Sequence, residues 1–388
     1  MKFNLKILYN KNYINIISIF NYKSIFLKKM SSKNSISIKS EDSSEENYEN
    51  DPENNKIEEQ FEEDFYPWIK PDSICHKLHG MLKLHYEILD FYDFIQLNKE
   101  EKELRENTFN DIKNIIEKNF KEYNCKLYGS FRTGLSLPDS DIDILILPKD
   151  EKKTDNIESE ILHKKLKEIY NILAMKDLFS QLELIKAKVP IIRCIYKETN
   201  VQIDISLFRK DGVLAVETIE KINKVYPEIK PLMLLIKYAL KQRQLNKIYK
   251  GGVSSFIIFS LIFYYLSDFK KKKSIGNKES NKIITLGDLL LGFLSFYGYE
   301  FKYDKYKISI RNGCFLSERT DEGKNALSLE NFQDGQDIGK SCYKYRNVID
   351  VFKFARKSLY FPDVPVVSYL KGFIFPDDTL RKRAENYK

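Results

Sequence analysis

Two acidic side chains lie at the edge of an apolar run in the segment 128–147 (YGSFRTGLSLPDSDIDILIL). Asp141 and Asp143 are separated by one residue, so a β-strand would point both carboxylates to one face and turn Ile142 and Ile144 to the other. Two neighbouring carboxylates repel each other unless a cation compensates their charge. Mg²⁺ prefers such oxygen ligands, so this spacing predicts a metal site.

A third acid of the same character occurs farther along the chain, because Asp204 interrupts the apolar run 201–208 (VQIDISLF). An acid in a buried β run is uncommon unless the fold uses it. Three such acids on neighbouring strands can form a two-metal site for in-line phosphoryl transfer. Gly129 lets the backbone approach a phosphate closely, and Ser130 offers a hydroxyl and an N–H to its oxygens. An aspartate pair alone is also common at turns and strand edges, but the whole set favours phosphoryl chemistry.

The elements that would position these residues mix strands and helices at first and are mostly helical after about residue 221. Strands are predicted at 125–130, 141–147, 189–196 and 201–208. Helices are predicted at 74–96, 100–119, 157–175, 229–245, 254–269, 285–301 and 346–360. A lysine-rich insert at 270–282 is expected to be a surface loop. The pattern predicts an α+β chain, in which a small sheet-containing unit is joined to a mostly helical one.

The formal charge of +8 is distributed unevenly along the chain. Residues 1–40 contain eight lysines and no acid, residues 41–64 carry a net charge of −11, and residues 65–388 carry +11. A basic globular part suits a polyanionic partner, although a solvated surface with a lysine bias would carry the same charge. The leader 1–64, basic and then acidic, is expected to be disordered, and its basic part also fits an organelle transit peptide.

Cysteine spacing and hydropathy limit the class of protein. The five cysteines are at least 28 residues apart, so no paired-cysteine metal motif is present and a reduced, intracellular protein is expected. No stretch of roughly 18 uninterrupted apolar residues occurs, so we expect no membrane span. The most apolar segment, 256–266 (FIIFSLIFYYL), is too short to cross a bilayer and is expected to be a buried helix.

The segment 129–147 (GSFRTGLSLPDSDIDILIL) resembles the signature of the DNA polymerase β-like nucleotidyltransferases. Within that superfamily the chain is similar to the TRAMP-type (Trf family) nuclear poly(A) polymerases over roughly residues 66–360. Further segments occur in the family's order, namely KAKVPIIRCIY, VQIDISLF, LLIKYALKQRQLNKIYKGGVSSF and LSLENFQDGQDIGKSCYKYRNVIDVFKFA. The resemblance implies a palm-like catalytic domain with a small mixed sheet at 106–215. It also implies a mostly helical central, poly(A) polymerase-associated domain at 65–105 and 216–388.

The resemblance also implies a role for each residue of the candidate site. Asp141, Asp143 and Asp204 would hold two Mg²⁺ or Mn²⁺ ions, and Asp204 would accept the proton of an RNA 3′-hydroxyl. The other residues are implied to bind the nucleotide, and they are Gly129, Ser130, Gly212, Lys237, Lys241, Ser255, Phe256 and Asp337. The aspartates and the Gly-Ser pair therefore belong to one predicted active site.

Elementary chemistry supports several of these implied roles. Lys237 and Lys241 are four residues apart, so they share a helix face and could clamp a polyanion, although a solvated basic face has the same spacing. Ser255 is predicted at a helix start, where free N–H groups favour anions. Phe256 could stack on any base, or it could be an ordinary core residue.

The choice of base is expected to depend on the loop 330–341 (ENFQDGQDIGKS), which faces the nucleotide in the family. Uridine-adding relatives place a histidine there, and this chain has none after His163, which favours ATP over UTP as substrate. The loop departs from the family at Phe332, where proline is usual, and at Gln336, where asparagine is usual. A further departure is Asp211, where the family often has asparagine.

These observations favour a template-independent RNA adenylyltransferase, which adds AMP from ATP to an RNA 3′ end and releases pyrophosphate. A terminal uridylyltransferase on the same fold and an inactive RNA-binding scaffold subunit are the alternatives. No RNA-recognition motif or zinc knuckle is visible in the sequence, so a zinc-knuckle RNA-binding protein and an RNA helicase are implied as partners, as in a TRAMP-like complex. The family implies a location in the nucleus or nucleolus, whereas the basic leader indicates a mitochondrion or plastid.

Overall fold

The structure is a computed structural model that describes residues 66–150, 159–186, 189–208, 210–275, 283–311, 313–320, 327–359, 361 and 366–385. The leader 1–64 and part of the lysine-rich insert, 276–282, lie outside these residues, and so do the expectations for them. Among the helices of the described ranges, none combines the length and the apolar character that a membrane span requires.

The first part of the described chain folds around a five-stranded sheet. Helices α1 (Gly80–Ile95) and α2 (Lys99–Asn119) precede it, and the next elements are β1 (Tyr123–Tyr128), α3 (Gly129–Thr133), β2 (Ile142–Pro148), α4 (Ser159–Ala174), β3 (Phe179–Ile185), β4 (Ile191–Tyr196) and β5 (Gln202–Leu207). The strand order is β1-β2-β5-β4-β3. Strands β2 and β5 are parallel, whereas the other neighbours are antiparallel. The predicted small mixed sheet is therefore present.

The rest of the chain is mostly helical, as predicted. In order it contains α5 (Lys210–Val225), α6 (Ile229–Gln242), α7 (Ser255–Ile275), α8 (Leu286–Ser295), β6 (Tyr306–Ser309), β7 (Phe315–Glu318), β8 (Leu329–Glu330), α9 (Tyr345–Ser358) and α10 (Asp378–Glu385). A π-helical turn at Phe296–Glu300 continues α8. The three short strands form a second sheet in the order β7-β6-β8.

The described residues form two hydrophobic cores. The first lies between the large sheet and the helices α2 and α4, and Ile142, Ile144 and Ile146 of β2 are fully buried in it. The second is built from α1 and the helices after β5, and it includes Leu135 and Leu137 from the segment before β2. That segment therefore connects the strand that carries two of the acids to the helical core. The predicted domain boundaries themselves stay predictions.

Two details of the large sheet differ from the sequence-based expectation. Strand β3 is not predicted, because it is an edge strand whose residues are all exposed or half-buried and show no apolar run. The predicted strand at 125–130 ends at Tyr128, because Gly129 has a left-handed backbone with φ of 68° and starts α3.

The lysine-rich insert is not a loop over its first part, since residues 270–275 continue α7. The Lys270 Nζ lies 3.3 Å from the Glu228 Oε1 and 4.2 Å from the centre of the Tyr226 ring. The Lys271 Nζ donates a hydrogen bond of 2.7 Å to the Cys314 carbonyl oxygen. These contacts hold the lysine stems against the protein, so the helix extends beyond its apolar stretch.

Helix α10 follows the helix that was predicted to be the last. It is highly charged and buries a single apolar side chain, Leu380, so hydrophobic spacing does not reveal it. Arg383 anchors it by donating a hydrogen bond of 2.6 Å to the Phe94 carbonyl oxygen and by pairing with Glu101 at 2.6 Å. Helix α10 is therefore fixed to the start of α2 and the end of α1.

Candidate active site

Asp143 and Asp204 lie side by side in the centre of the large sheet. They are register partners on the parallel strands β2 and β5. Asp141 immediately precedes β2, two residues from Asp143, so strand alternation places both on the same face. The side chains between and after them, Ile142 and Ile144, are fully buried in the core below the other face. The structure thus brings the three predicted acids to one region of the sheet.

A cross-strand row of polar residues passes through these acids. Tyr128 pairs with Asp143, Asp143 with Asp204, Asp204 with Arg193, and Arg193 with Glu183, across all five strands. Register partners point to the same face of a sheet, so the row lies on the face of the acids.

Arg193 is a site residue that the sequence reasoning missed. Its Nε donates to the Asp204 Oδ1 at 2.8 Å, and its Nη2 donates to the Asp204 Oδ2 at 2.7 Å. The Arg193 side chain is 41% exposed and that of Asp204 is 15% exposed, so the pair lies at the rim of the site. The sequence signal is a charged residue between the buried Ile192 and Cys194, but its partner depends on the order and register of the strands.

The other two acids carry charge that is poorly compensated. Burial raises the pKa of Asp143 to about 7, with further contributions from the negative charges of Asp141 and Asp204. Burial also raises the pKa of Asp141, and the charge of Asp204 adds to that effect. Opposing contributions come from Lys237 and the Ser130 N–H for Asp143. Such raised pKa values are expected where carboxylates are grouped without a cation between them.

Gly129 is required at its position by close approach as well as by backbone conformation. A Cβ atom on this residue would lie 1.9 Å from the Asp143 Oδ2, and φ is 68°. Any side chain there would displace the Asp143 carboxylate or the turn that follows β1. The structure therefore assigns Gly129 a second function beside its predicted approach to phosphate, namely to leave room for the acid.

The predicted phosphate lysines contact the segment before β2. The Lys237 side chain is buried, and its Nζ donates to the Leu135 carbonyl oxygen at 3.1 Å. Burial lowers the pKa of Lys237 to about 8, although the charges of Asp143, Asp139 and Asp141 oppose this effect. The Lys241 Nζ forms an ion pair with Asp139. Both lysines thus face the same segment, and their contact with a triphosphate stays a prediction.

Arg105 also contacts this segment. This residue of α2 is buried, and its guanidinium donates to the Ser140 carbonyl oxygen at 2.7 Å and to the Pro138 carbonyl oxygen. Arg105 is a second residue that the sequence reasoning missed. Three cations from two helices therefore hold residues 135–140, directly before Asp141.

Two further predicted nucleotide contacts lie at helix starts. A Cβ atom on Gly212, at the start of α5, would lie 3.2 Å from the Tyr128 ring, so Gly212 packs against an aromatic residue of the site. At the start of α7 the Ser254 hydroxyl, rather than that of Ser255, accepts a hydrogen bond of 3.1 Å from the Ile257 N–H. Ser255 is half-buried beside it.

Phe256, the predicted base-stacking residue, packs against Phe332 of the loop 330–341. The ring centres are 5.3 Å apart and the planes are tilted by 59°. Phe332 is 8% exposed and Phe256 is partly buried against the helical core. One of the two residues at which this loop departs from the family pattern, Phe332, therefore contacts the candidate stacking residue directly.

Asp337 organises the loop in which it lies. Its Oδ1 accepts hydrogen bonds from the Gly339 N–H at 2.8 Å and the Leu329 N–H at 3.1 Å. Its Oδ2 accepts a hydrogen bond of 2.7 Å from the Ser328 hydroxyl. The predicted contact of Asp337 with a base stays a prediction, and the structure gives the side chain a role in shaping the loop.

The carboxylates of Asp141, Asp143 and Asp204 are chemically suited to bind a divalent cation. In the described part of the chain, no three His, Cys, Asp or Glu side chains converge closely enough to hold a metal ion as they stand. The third acid, Asp204, accepts hydrogen bonds from Arg193 on both of its carboxylate oxygens. Carboxylate oxygens are the ligands that Mg²⁺ and Mn²⁺ prefer, and a bound cation would offset the burial and mutual repulsion that raise the pKa of Asp141 and Asp143.

Comparison with known families gives two matches within the chain. Residues 84–224 match the central palm domain of mitochondrial-like poly(A) RNA polymerases. Residues 285–336 match the domain of the Cid1 family poly A polymerases. The first match covers the large sheet and the three acids, and the second begins at Thr285 and ends within the loop 330–341.

Among curated relatives, poly(A) RNA polymerase protein 1 of Saccharomyces cerevisiae is 28% identical over 299 residues, which are 74% of this chain and 45% of that protein. The inactive poly(A) RNA polymerase protein Trf4-2 of Drosophila melanogaster is 28% identical over 303 residues, which are 74% of this chain and 70% of that protein. Several relatives are much longer, and the chain spans 34% to 45% of three of them.

The fold resembles that of several solved structures. The polymerase core of TRAMP, an RNA surveillance complex, has a TM-score of 0.66 and 24% identity, covering 82% of this chain and 96% of that one. The Cid1 poly(U) polymerase has a TM-score of 0.63 and 20% identity, covering 76% of this chain and 99% of that one. At these identities the likeness establishes the fold.

Proposed function

We propose that the chain is a template-independent RNA 3′-end adenylyltransferase, because it matches the central palm domain of mitochondrial-like poly(A) RNA polymerases and the domain of the Cid1 family poly A polymerases. The observation that carries the proposal is the pairing of Asp143 with Asp204 across parallel strands, with Asp141 two residues away. Three acids in this arrangement suit nucleotidyl transfer. The reaction joins the RNA 3′-oxygen to the α-phosphorus of ATP and breaks the bond from that phosphorus to the bridging oxygen of pyrophosphate.

The proposed chemistry assigns a task to each acid. Asp141, Asp143 and Asp204 would hold two Mg²⁺ or Mn²⁺ ions, which supply positive charge to the reacting phosphate when bound. Asp204 is the proposed acceptor of the proton from the RNA 3′-hydroxyl. In the present arrangement Arg193 donates one hydrogen bond to each Asp204 oxygen, which leaves a second lone pair on each oxygen for a metal ion or for that proton.

Other residues of the chain would position the nucleotide. Gly129 and Ser130, in the turn beside Asp143, are the proposed triphosphate contacts. Lys237 contributes positive charge near Asp143 from a buried position. Phe256 is the proposed stacking surface for the base, and its ring packs against that of Phe332.

Adenylyl transfer is preferred over uridylyl transfer because the base-selecting loop contains no histidine. The second candidate has support from the fold, since the Cid1 poly(U) polymerase has a similar one. Primer extension with each of the four nucleoside triphosphates and Mg²⁺ separates the two. Preferential addition of UMP to an oligo(A) primer would overturn the adenylyl assignment.

An inactive RNA-binding scaffold is the remaining alternative, because the relative Trf4-2, which this chain matches over 70% of its length, is an inactive protein. The retention of Asp141, Asp143 and Asp204 in this chain argues for activity. The test is tailing by an Asp143→Ala variant, compared with the unchanged protein at equal RNA occupancy. Equal tailing by the two proteins would mean that these acids do not carry the reaction.

We also propose partners and a location. A zinc-knuckle RNA-binding protein and an RNA helicase would help this chain engage RNA, in a TRAMP-like complex in the nucleus or nucleolus. Primer extension by the isolated protein should then be weaker than by the protein in its native complex, and equal extension would contradict the need for partners. Imaging of tagged forms that start at Met1 and at Met30 would test whether the basic leader directs the protein to an organelle.

A further inference from the structure

The two most exposed aromatic side chains among the described residues belong to segments that are neighbours in the fold. Tyr249 is 76% exposed and Tyr343 is 63% exposed, whereas the next aromatic residues, Phe354 and Tyr299, are 53% and 52% exposed. The segments that carry the first two are joined by a hydrogen bond of 3.0 Å from the Lys344 N–H to the Gly251 carbonyl oxygen. We call residues 247–251 and 340–346 together the tyrosine platform.

Tyr343 is held in place although most of its surface is open to solvent. Gly251 has φ of 81°, and a Cβ atom there would lie 2.4 Å from the Tyr343 ring. The ring therefore lies directly against the glycine backbone. The neighbouring Cys342 is buried, and the Ser254 N–H donates a hydrogen bond to its sulfur. A ring fixed in this way is preorganised for stacking, so little conformational entropy is lost on binding.

Tyr249 is held by a tight turn. It lies in the single 3₁₀ turn Ile248–Lys250. The Gly251 N–H donates to the Ile248 carbonyl oxygen at 2.8 Å, and the Gly252 N–H donates to the Lys247 carbonyl oxygen at 2.9 Å. The turn thus presents Tyr249 to solvent from a hydrogen-bonded backbone.

The chain segments that carry the two tyrosines contain several cations and no acid. Residues 243–257 and 338–349 contain no aspartate or glutamate, although the whole chain has 56 acids in 388 residues. Five cations of the platform are exposed, and they are Lys247, Lys250, Lys340, Lys344 and Arg346. Exposed aromatic rings between cations are the combination that binds single-stranded nucleic acid, because bases stack and phosphates pair with the cations.

Each of the two segments of the tyrosine platform adjoins, along the chain, an element of the proposed nucleotide site. Residues 247–251 lead into the start of α7, which carries Ser255 and Phe256. Residues 340–346 overlap the end of the loop 330–341, which contains Phe332 and Asp337. A strand bound here would therefore lie close to the elements that are proposed to hold the incoming base.

We propose that Tyr249 and Tyr343 bind bases of single-stranded RNA upstream of the 3′ end, while the surrounding lysines and Arg346 pair with its phosphates. This inference rests on the proposed adenylyl transfer for the identity of the strand. Stacking accepts any base, so the platform would hold both the original RNA and the growing oligo(A) tail.

The test uses the full chain and a fluorescent 15-nucleotide oligo(A) RNA. Binding is measured by anisotropy for the double variant Tyr249→Ala/Tyr343→Ala and for the matched control Tyr299→Ala/Phe354→Ala, whose rings are exposed elsewhere. We expect the platform variant to raise the Kd by about ten-fold or more and the control to leave it unchanged. AMP addition at saturating RNA should keep its kcat in both variants.

Two further measurements separate stacking from charge and from folding. Tyr249→Phe/Tyr343→Phe keeps both rings and should bind RNA as the unchanged protein does. Lys247→Gln/Lys344→Gln should reduce the slope of log Kd against log salt by about 1 to 2, because fewer counterions are released. An unchanged Kd in the Tyr→Ala double variant, or an equal loss in the control variant, would overturn the proposal and leave a protein partner as the platform's ligand.

The same assays distinguish failure of this inference from failure of the proposed function. If the protein adds no AMP under any condition but the double variant still loses RNA affinity, the platform stands and the adenylyl transfer falls. If the protein adds AMP and the double variant keeps both its Kd and its KM for RNA, the enzyme stands and the platform falls.

Discussion

Arg193 and Asp204 form a bidentate ion pair across the antiparallel strands β4 and β5, with donor–acceptor distances of 2.8 and 2.7 Å. The pair neutralises the third acid of the site while the other two acids remain without a compensating charge of this kind. A divalent cation bound to the same carboxylate would lie close to the guanidinium, so the two positive charges would oppose each other there. Glu183, the register partner of Arg193 on its other side, offers a second carboxylate toward which the side chain could turn.

We expect Arg193→Gln to bind Mn²⁺ several-fold more tightly than the unchanged protein, because the opposing positive charge beside Asp204 is removed. Free Mn²⁺ is measured by electron paramagnetic resonance in the absence of nucleotide, so the readout does not depend on activity. The control is Lys197→Gln, which removes a cation at the end of the same strand, where it pairs with Asp177. Weaker Mn²⁺ binding by Arg193→Gln would show that Arg193 instead supports the metal site.

The raised pKa of Asp143 makes the metal-free protein sensitive to pH. Its pKa is about 7 in the fold against 3.8 for a free carboxyl, so the folded state binds the extra proton and stability from this group falls as pH rises from about 4 to 7. Asp143→Asn should therefore raise the Tm of the metal-free protein at pH 8 by a few degrees. This gain should diminish toward pH 5.

Asp204→Asn is the matched control for that prediction. It breaks the ion pair with Arg193, so it should lower the Tm at pH 8, where Asp143→Asn raises it. Thermal unfolding is followed by circular dichroism with a chelator present. A lower Tm for both variants would contradict the view that Asp143 is the uncompensated charge of the site.

Gly129→Ala should reduce AMP addition by about 100-fold or more, because a new Cβ at 1.9 Å from the Asp143 Oδ2 must displace that carboxylate. Gly80→Ala is the control, since Gly80 also has a positive φ, of 57°, but a Cβ there would meet nothing within 4 Å. Initial rates are measured at saturating ATP and RNA. Equal losses in the two variants would attribute the effect to backbone strain alone.

Phe332→Ala should raise the KM for ATP by about three-fold to ten-fold with little change in kcat, because Phe256 loses the ring that supports it. Phe332→Tyr keeps the ring and should behave as the unchanged protein does. A fall in kcat at constant KM would contradict a role in base binding. Tailing rates over a range of ATP concentrations provide both constants.

The positions of the three acids could be expected from the sequence because strand alternation is a local pattern. Asp141 and Asp143 need only a period of two, and an acid in an apolar run such as that around Asp204 is visible without a structure. The partner of Asp204 could not be expected, because Arg193 contacts it only through the order and register of β4 and β5. Such pairing is a property of the sheet.

In the helical part, too, local patterns are visible in the sequence whereas contacts between distant residues are not. The spacing of Lys237 and Lys241 correctly places them on one face of α6, but the chain segment that this face meets is decided by tertiary packing. The contact between Phe332 and Phe256 depends on how the loop 330–341 folds around Asp337. Helix α10 has too little apolar surface for a periodic signal.

The segment 135–140 has a mechanical consequence for the site. Leu135 and Leu137 are inserted into the helical core, and Arg105, Lys237 and Lys241 hold the polar groups between them and Asp141. The start of β2, which Asp141 precedes, is therefore coupled to the helices α2 and α6. We expect an opening that admits an RNA end or releases pyrophosphate to displace other parts of the site, because movement here would break these contacts.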